Sequence, residues 1–368
     1  MKVLIAVTHL LGTGHLARAL TLGRAFAARG HAVRIASGGM AVPQFDLSGV
    51  ELVQLPPLRS DGTAFTRLLA SDGTLADDGY HARRRDMLVA EVRDHAPDIL
   101  ITELFPFGRR ALRAEFRALL DAAHALPRRP VVLASIRDIL APPSKPERVA
   151  QTEVLVLDHY DAVLVHSDPA VVPLDLSWPV SAALTAKLRY TGFVAPPPPE
   201  PHPEGLGTGE VLVSAGGGPV GQRLFQTAIA AARADKRTWR LMTRDMPPNL
   251  PPNVVIDPPR PDFRALLANA AASVSMCGYN TAMDLLQTGV PGVIVPFDAG
   301  GEQEQGLRAG ALSRMPGLRI LRDEALSPKA MLAALAEATA DPSRTATPDF
   351  DGARHAVDIA VTLAEARP

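Results

Sequence analysis

The sequence predicts an α/β fold made of two successive halves, each a parallel sheet built from βα units. Three observations carry this expectation. Short apolar runs alternate with longer amphipathic stretches along most of the 368 residues. The alternation stops once, at 194–207, where prolines at 196–199, 201 and 203 exclude both a helix and a central strand. It then resumes with the same rhythm, and the total length suits about two domains.

In the first half, residues 2–7 read as a buried strand. Residues 15–29 read as a helix, with Leu16, Leu20, Leu22 and Phe26 on one side and Gly30 at its end. Residues 32–36, 99–102, 131–135 and 162–166 are further strands. Residues 63–85 have weak periodicity and mixed charge, and read as a long excursion over a cleft. The second half offers strands at 211–214, 240–242, 254–256, 273–276 and 292–296. Helices are expected at 221–234, 263–270 and 280–287. A last helix, 352–366, is expected to cross back over the first half. The expected division is therefore 1–195, a linker at 196–207, 208–345, and a tail at 346–368. Two such halves facing each other make a natural ligand cleft.

The charge balance is 38 Lys+Arg against 39 Asp+Glu, which argues against a dedicated nucleic-acid binder. Lysine occurs only at Lys2, Lys145, Lys187, Lys236 and Lys329, so arginine supplies nearly all the cations. Arginine suits bidentate contacts to phosphate or carboxylate. The single cysteine, Cys277, excludes an internal disulfide and a cysteine-rich zinc site. No apolar run approaches the length of about 20 residues that a membrane span needs. The apolar start is soon broken by His9, Gly12, Gly14, His15 and Arg18, with no small-residue cleavage site, so it reads as a strand and not a leader. The expected location is cytoplasmic, with peripheral contact at the inner face of the membrane left open.

Four clusters of residues can carry chemistry. Gly12-Thr13-Gly14-His15 ends the first strand. Its small residues let a ligand approach the backbone, and the helix behind it presents N–H groups. His15 directly follows the second glycine and no acidic residue closes the next strand, so the dinucleotide fingerprint fails. At that helix start a neutral imidazole can act as general base, with Glu103, after the 99–102 strand, as the carboxylate that orients it. The competing reading is a helix-capping histidine and a turn-capping glutamate. Gly216, Gly217 and Gly218 follow the 211–214 strand and can wrap a diphosphate, or simply make a tight turn. No lysine follows, so this is no P-loop. In Cys277-Gly-Tyr-Asn-Thr-Ala-Met-Asp284, Thr281 can cap the helix. Asp284, one turn in, can accept the hydroxyls of a ribose or merely pair with the helix dipole. In 296–308, Glu304 and Arg308 share a helix face beside Gln305, which also describes an ordinary exposed ion pair.

Together these clusters resemble the GT-B glycosyltransferases of the MurG type, glycosyltransferase family 28. The better match is in the C-terminal half: Gly278 to Phe297, with Asp284 in the acidic position, Gly289-Val-Pro291 and the strand at 292–296. The resemblance implies two Rossmann-like domains facing across a cleft. It implies a nucleotide-sugar donor, UDP-linked, bound by Gly14, Gly216, Gly217, Gly218, Arg260, Gly278, Asn280, Thr281 and Asp284. Glu304, Gln305 and Arg308 match the family's sugar-contacting residues in spacing, with Glu for Gln and Arg for Asn as departures. The family's Gly-Gly-Thr-Gly-Gly-His loop is one glycine short here. That loop, followed by Arg18, also resembles nucleotide-sugar hydrolases. The blocks at 97–108 and 135–140 look like a bacterial group of predicted glycosyltransferases.

The expectation is transfer of a hexosyl group to the hydroxyl of a glycan, lipid-linked or small-molecule acceptor. Arg18, Arg137 and His166 are the acceptor-side candidates, and no cofactor or metal is implied. Asp349-Phe-Asp351 spells a metal-binding D-x-D, but its place in the tail reads as surface. Retaining enzymes of this fold often carry a Glu eight residues before the ribose carboxylate. Here that position is Met276, so inversion by single displacement is favoured. A nucleotide-sugar hydrolase or epimerase, and a non-catalytic nucleotide or glycan binder, are the alternatives.

Overall fold

The computed structural model describes residues 1–61, 67–215, 221–297, 303–340 and 348–367. The chain divides into two units. The first contains Met1–Pro169, Pro173–Val194 and Asp351–Pro368, and the second Ala170–Val172 and Ala195–Phe350.

In the first unit, in chain order, the elements are β1 (Lys2–Val7), α1 (Gly14–Ala28), β2 (Ala32–Ser37), β3 (Glu51–Gln54), β4 (Arg59–Ser60), β5 (Leu68–Leu69), α2 (Asp78–His95), β6 (Ile99–Glu103), α3 (Arg113–His124), β7 (Val131–Arg137), α4 (Pro146–His159), β8 (Ala162–His166), α5 (Ala182–Lys187) and β9 (Leu188–Tyr190). Seven of these strands form one sheet in the order β3-β2-β1-β6-β7-β8-β9, with every pair parallel. The order reverses between β1 and β6, so their C-terminal ends part at a switch point.

The strands are apolar on both faces because both are covered. Leu4, Leu100, Val132 and Val163 join the core under α2 and α3. Ile5, Ile101, Leu133 and Leu164 alternate with them and meet Leu22 and Phe26 of α1. The final helix of the chain, Gly352–Glu365, belongs to this unit and lays Ala356, Val357 and Ala360 against the same cluster. Its start is a close approach: a Cβ on Gly352 would lie 2.5 Å from the Gly192 carbonyl oxygen.

Of the excursion expected over 63–85, the described residues 67–85 form regular structure. Leu68 and Leu69 pair antiparallel with β4, and α2 begins at Asp78, where the Asp77 carboxylate caps the Tyr80 N–H at 2.7 Å. Within the run Arg83-Arg84-Arg85, Arg84 is fully buried. Its guanidinium meets Glu115 of α3 twice at 2.9 Å and donates to the Gly38 carbonyl. This fork ties α2 to α3 and to the exit of β2.

The second unit follows the same plan: β10 (Val211–Ser214), α6 (Gln222–Ala232), β11 (Trp239–Met242), β12 (Val254–Asp257), α7 (Phe263–Asn269), β13 (Ala272–Ser275), α8 (Tyr279–Thr288), β14 (Gly292–Ile294), α9 (Glu304–Leu312), β15 (Leu318–Ile320) and α10 (Pro328–Ala340). The last helix is α11. Six parallel strands run β12-β11-β10-β13-β14-β15, again reversing at the third and fourth. Val213, Trp239, Val274 and Val293 pack with α6 and with Met331 and Leu335 of α10. Gly289 closes α8 with φ at 69°, a left-handed turn that favours glycine. No helix among the described residues is long and apolar enough to cross a membrane.

Two glycines separate the effects of space and backbone. Gly352→Ala forces α11 off the backbone at 192–193 and should destabilise the protein by about 1–3 kcal/mol. In α9, a Cβ on Gly310 meets nothing within 4 Å, so Gly310→Ala should stabilise by about 0.5–1 kcal/mol. Urea unfolding of both variants checks the opposite signs.

Candidate active site

The first site grows from three strand ends. Along the face covered by α1, the columns Ile99–Ile101, Val131–Leu133 and Ala162–Leu164 are apolar, and each ends one step later in a polar residue: Glu103, Ser135 and His166. Glu103 and Ser135 are register partners. Opposite them, α1 carries His15, Arg18, Leu22 and Phe26 at helical spacing, so the stripe that buries Leu22 and Phe26 also aims His15 and Arg18 at the strand ends.

His15 Nδ1 lies 2.8 Å from Glu103 Oε1. Arg18 donates through Nη2 to the same oxygen, and Ser135 Oγ donates to Oε2 at 2.5 Å. Glu103 is 1% exposed. Burial alone raises a carboxyl pKa, but the Arg18 charge and the His15 and Arg18 hydrogen bonds outweigh it and hold Glu103 well below the usual carboxylate range. An ionised carboxylate only accepts, so His15 carries its proton on Nδ1 and keeps the Nε2 lone pair. The 3.1 Å approach of Arg18 Nη2 to Nδ1 is then a contact between two donors. His15 Nε2 has no partner among the described residues and is not among their fully buried unpaired atoms, so it meets solvent. Burial pushes the His15 pKa down to about 3 against the pull of Glu103, with Arg109 and Arg18 adding to the depression. The imidazole is therefore neutral at ordinary pH, with one free basic nitrogen.

Arg109 is the residue that sequence reasoning missed. It sits directly after the 97–108 block, at a left-handed φ of 57°, and donates Nε to the Thr8 carbonyl at 2.5 Å. Burial, followed by the facing charges of Arg137 and Arg18 and against that of Glu103, lowers its pKa to about 10. Of the acceptor-side candidates, Arg18 is 6% exposed and committed to Glu103, and His166 is fully buried. The strands and α1 enclose both side chains. Arg137 ends β7 beside His166 and is only half-buried.

The second site lies at β13, α8 and α9. Gly278 caps α8, and a Cβ there would meet nothing within 4 Å. The same holds for Gly12 and Gly14 in the first unit. None of the three has a left-handed backbone, so neither packing nor φ demands glycine there. Thr281 lies inside α8 and makes no cap, which corrects the expectation of a Thr281 cap. Asn280 is exposed in the first turn. Asp284 is nearly buried and pairs with Arg264 Nε at 2.7 Å, while Arg264 also reaches Gln287. Burial pushes the Asp284 carboxyl up, and Arg264 pulls part of that back. Its Oδ2 has no partner among the described residues and is not fully buried, so one oxygen stays available.

The polar start of α9 meets the backbone at the ends of β13 and β14. Gln305 Oε1 accepts from Cys277 N at 3.0 Å and from Phe297 N at 3.2 Å. Arg308 is 1% exposed, donates to the Cys277 carbonyl at 3.0 Å and lies over the Tyr279 ring. Both side chains are spent on the backbone leaving β13 and β14, where strand-end N–H and C=O groups lack ladder partners. Glu304 is in the first turn of α9. Arg260 is forked onto Asp262 at 2.7 and 2.8 Å and reaches Asp257 at 3.2 Å, so its charge is balanced within its own loop. Gly216, Gly217 and Gly218 lie outside the described residues. Asp349 and Asp351 are exposed, and Asp351 pairs with Arg354 at 3.0 Å.

Gln305→Ala should therefore destabilise the protein by about 1–3 kcal/mol by orphaning two backbone donors, and Gln305→Glu, which keeps the acceptor, should not. Thermal and urea melts decide between this and a purely ligand-facing side chain. A second prediction concerns acid. His15 and His166, whose pKa burial also lowers to about 3, are protonated below pH 6.5 only in the unfolded chain. Their contribution is whole above pH 6.5 and is lost as pH falls towards 3, at up to about 1.4 kcal/mol per pH unit for each. His166→Gln should flatten the dependence of unfolding free energy on pH between 7 and 5. An unchanged slope contradicts the neutral, buried His166.

Residues 245–362 match the family model described as the glycosyltransferase family 28 C-terminal domain. Over 169 residues, 41% of this chain and 45% of the relative, the chain is 26% identical to the UDP-N-acetylglucosamine–N-acetylmuramyl-(pentapeptide) pyrophosphoryl-undecaprenol N-acetylglucosamine transferase of Agrobacterium fabrum. The Brucella anthropi protein of the same name is 29% identical over 143 residues, 35% of this chain and 38% of that protein. The match thus spans less than half the length of these relatives. Among solved structures, Acinetobacter baumannii MurG superposes with a TM-score of 0.64 at 15% identity, covering 98% of this chain and 99% of that one. A kitacinnamycin glycotransferase reaches 0.64 at 17%, covering 99% and 95%. The chain has the GT-B fold, and its residues 245–362 are similar to the glycosyltransferase family 28 C-terminal domain.

Proposed function

We propose that this protein is a glycosyltransferase that moves a glycosyl group from a UDP-linked sugar to an acceptor hydroxyl, with His15 as general base. The carrying observation is the His15–Glu103 pair: a neutral imidazole, its Nδ1 proton fixed on a buried carboxylate 2.8 Å away, and Nε2 open. The family 28 domain at 245–362 supports the donor class.

In this reading the acceptor hydroxyl gives its proton to Nε2 as its oxygen attacks the anomeric carbon. The bond from that carbon to the diphosphate oxygen breaks, and the diphosphate leaves with the electron pair. The anomeric centre inverts in one displacement. As the imidazole gains positive charge, Glu103 stabilises it without taking the proton. Gly278 leaves room for ligand atoms against the backbone, and the uncapped start of α8 offers them N–H groups. Asp284 Oδ2 would take a ribose hydroxyl, its carboxylate steadied by Arg264. Gln305 and Arg308 hold the turn that carries Gly278. No step calls for a metal or a further cofactor.

The test is a screen of nucleotide-sugars against glycan, lipid-linked and small-molecule acceptor pools, read as nucleotide release. Acceptor-dependent release with a UDP-sugar is expected. His15→Ala should lower kcat by about 10²–10⁴ while UDP affinity stays unchanged in calorimetry. Equal release without acceptor would make the protein a nucleotide-sugar hydrolase instead. Near-normal kcat in His15→Ala would place the base elsewhere.

A further inference from the structure

We propose that Ser135 and His166 are positioning residues for the His15–Glu103 pair, setting the His15 tautomer through a one-way chain of buried hydrogen bonds. The activity readout of this proposal rests on His15 being the base, but the chain itself does not.

Ser135 Oγ lies 2.5 Å from Glu103 Oε2 and 2.9 Å from His166 Nε2. His166 Nδ1 lies 2.9 Å from Thr191 Oγ1. Glu103, Ser135 and His166 are at most 1% exposed, so water is not a competing partner. Counting protons then settles the directions from His166 to Glu103. The ionised Glu103 has none, so Ser135 must donate to it. The serine has one hydroxyl proton, so its oxygen must accept from His166, which fixes that proton on Nε2. Burial keeps His166 neutral, so its Nδ1 is a bare acceptor facing the Thr191 hydroxyl, which also lies 2.8 Å from the Gly192 carbonyl and 3.3 Å from the Val165 carbonyl. The opposite sense would turn Ser135 towards His166 and set two bare acceptors 2.5 Å apart. The proton order is therefore His166 to Ser135 to Glu103, and Glu103 accepts from His15 at the other end.

The chain has a mechanical consequence at the base. Arg18 touches both carboxylate oxygens, but its Nε contact to Oε2 is long at 3.5 Å. Ser135 is the short anchor on Oε2. With Oε2 held, Oε1 stays aimed at His15 Nδ1 and the free lone pair stays on Nε2. Without Ser135 the carboxylate can turn towards Arg18, and His15 can carry its proton on Nε2, where it is useless as a base. His166 acts one step further out, by denying Ser135 any acceptor other than Glu103.

The experiment uses the full chain with 15N-labelled histidine. The wild type should show His15 as the Nδ1–H tautomer. Ser135→Ala should give a mixture with Nε2–H and lower kcat about tenfold or more, with an unchanged KM for the nucleotide-sugar, the scale on which outer partners of a functional histidine act. His166→Phe removes the donor and should do the same. His166→Gln keeps an N–H donor for Ser135 and should restore both tautomer and kcat. If Ser135→Ala does not fold, the His166 pair makes the same comparison. A wild-type His15 tautomer in folded His166→Phe or Ser135→Ala overturns the proposal, whatever the activity. A wild type without transferase activity but with the predicted tautomer shifts overturns the function and leaves the hydrogen-bond chain standing.

Discussion

A carboxylate at the bottom of a parallel sheet must be surrounded by donors, and Glu103 organises its unit around that need. A buried charge that loses its partner costs about 3–5 kcal/mol. Glu103 meets three side chains: Arg18 and His15 from α1, and Ser135 from the next strand. The same residues that make its burial tolerable decide its chemistry. Arg18 keeps it ionised. Ionisation fixes the His15 proton on Nδ1, and that leaves Nε2 basic. Stability and reactivity are one set of hydrogen bonds here, which is why α1 must meet the sheet at a precise rotation. Leu22 and Phe26 supply that rotation through apolar contact one and two turns further along.

The second unit solves a different problem. The β13 and β14 strands end where the chain must turn away from the ladder, leaving backbone donors and acceptors without partners. Gln305 takes two of the N–H groups and Arg308 takes a carbonyl, both from the first two turns of α9. The turn they secure leads directly to Gly278 and Asp284. A ligand site needs open space and rigid walls together. Here the glycines provide the space, and α9 provides the rigidity from behind.

The sequence made the architecture legible wherever one physical rule dominated. Buried parallel strands are apolar on both faces, so β1, β6, β7 and β8 stood out as apolar runs, and the proline stretch after Val194 marked the change of unit. The pair His15 and Glu103 was also legible, because both follow strand-end positions where α/β sheets present side chains to ligands. Illegible features were those whose meaning depends on a distant partner. Arg84 hides in a run of three arginines, and only Glu115, far along the chain, makes it a core residue. Gln305 and Arg308 have the spacing of ligand contacts, yet the strand ends claim them first. His166 is a polar end to an apolar strand, which reads equally as a site residue or a buried link. Only the positions of Ser135 and Thr191 decide. β3, β9, β15 and α10 were missed because short edge strands and an evenly apolar helix carry weak periodicity.

A base whose pKa lies near 3 is a weak one in its resting state, since proton transfer is most efficient when the catalytic pKa sits near the working pH. The depression comes first from burial, then from the nearby Arg109 and Arg18 charges, and Glu103 opposes it. Of these, Arg109 is the cation with freedom to change. It is only partly enclosed, and among the described residues its guanidinium has no carboxylate within ion-pair distance. Any anionic group that binds beside it offsets its charge and raises the basicity of His15. Arg18 cannot play this part, because it is already paired with Glu103. The resting protein thus keeps its imidazole neutral at every physiological pH. In the proposed reaction, substrate charge beside Arg109 would make the same imidazole more basic, which would favour proton removal when substrate is bound.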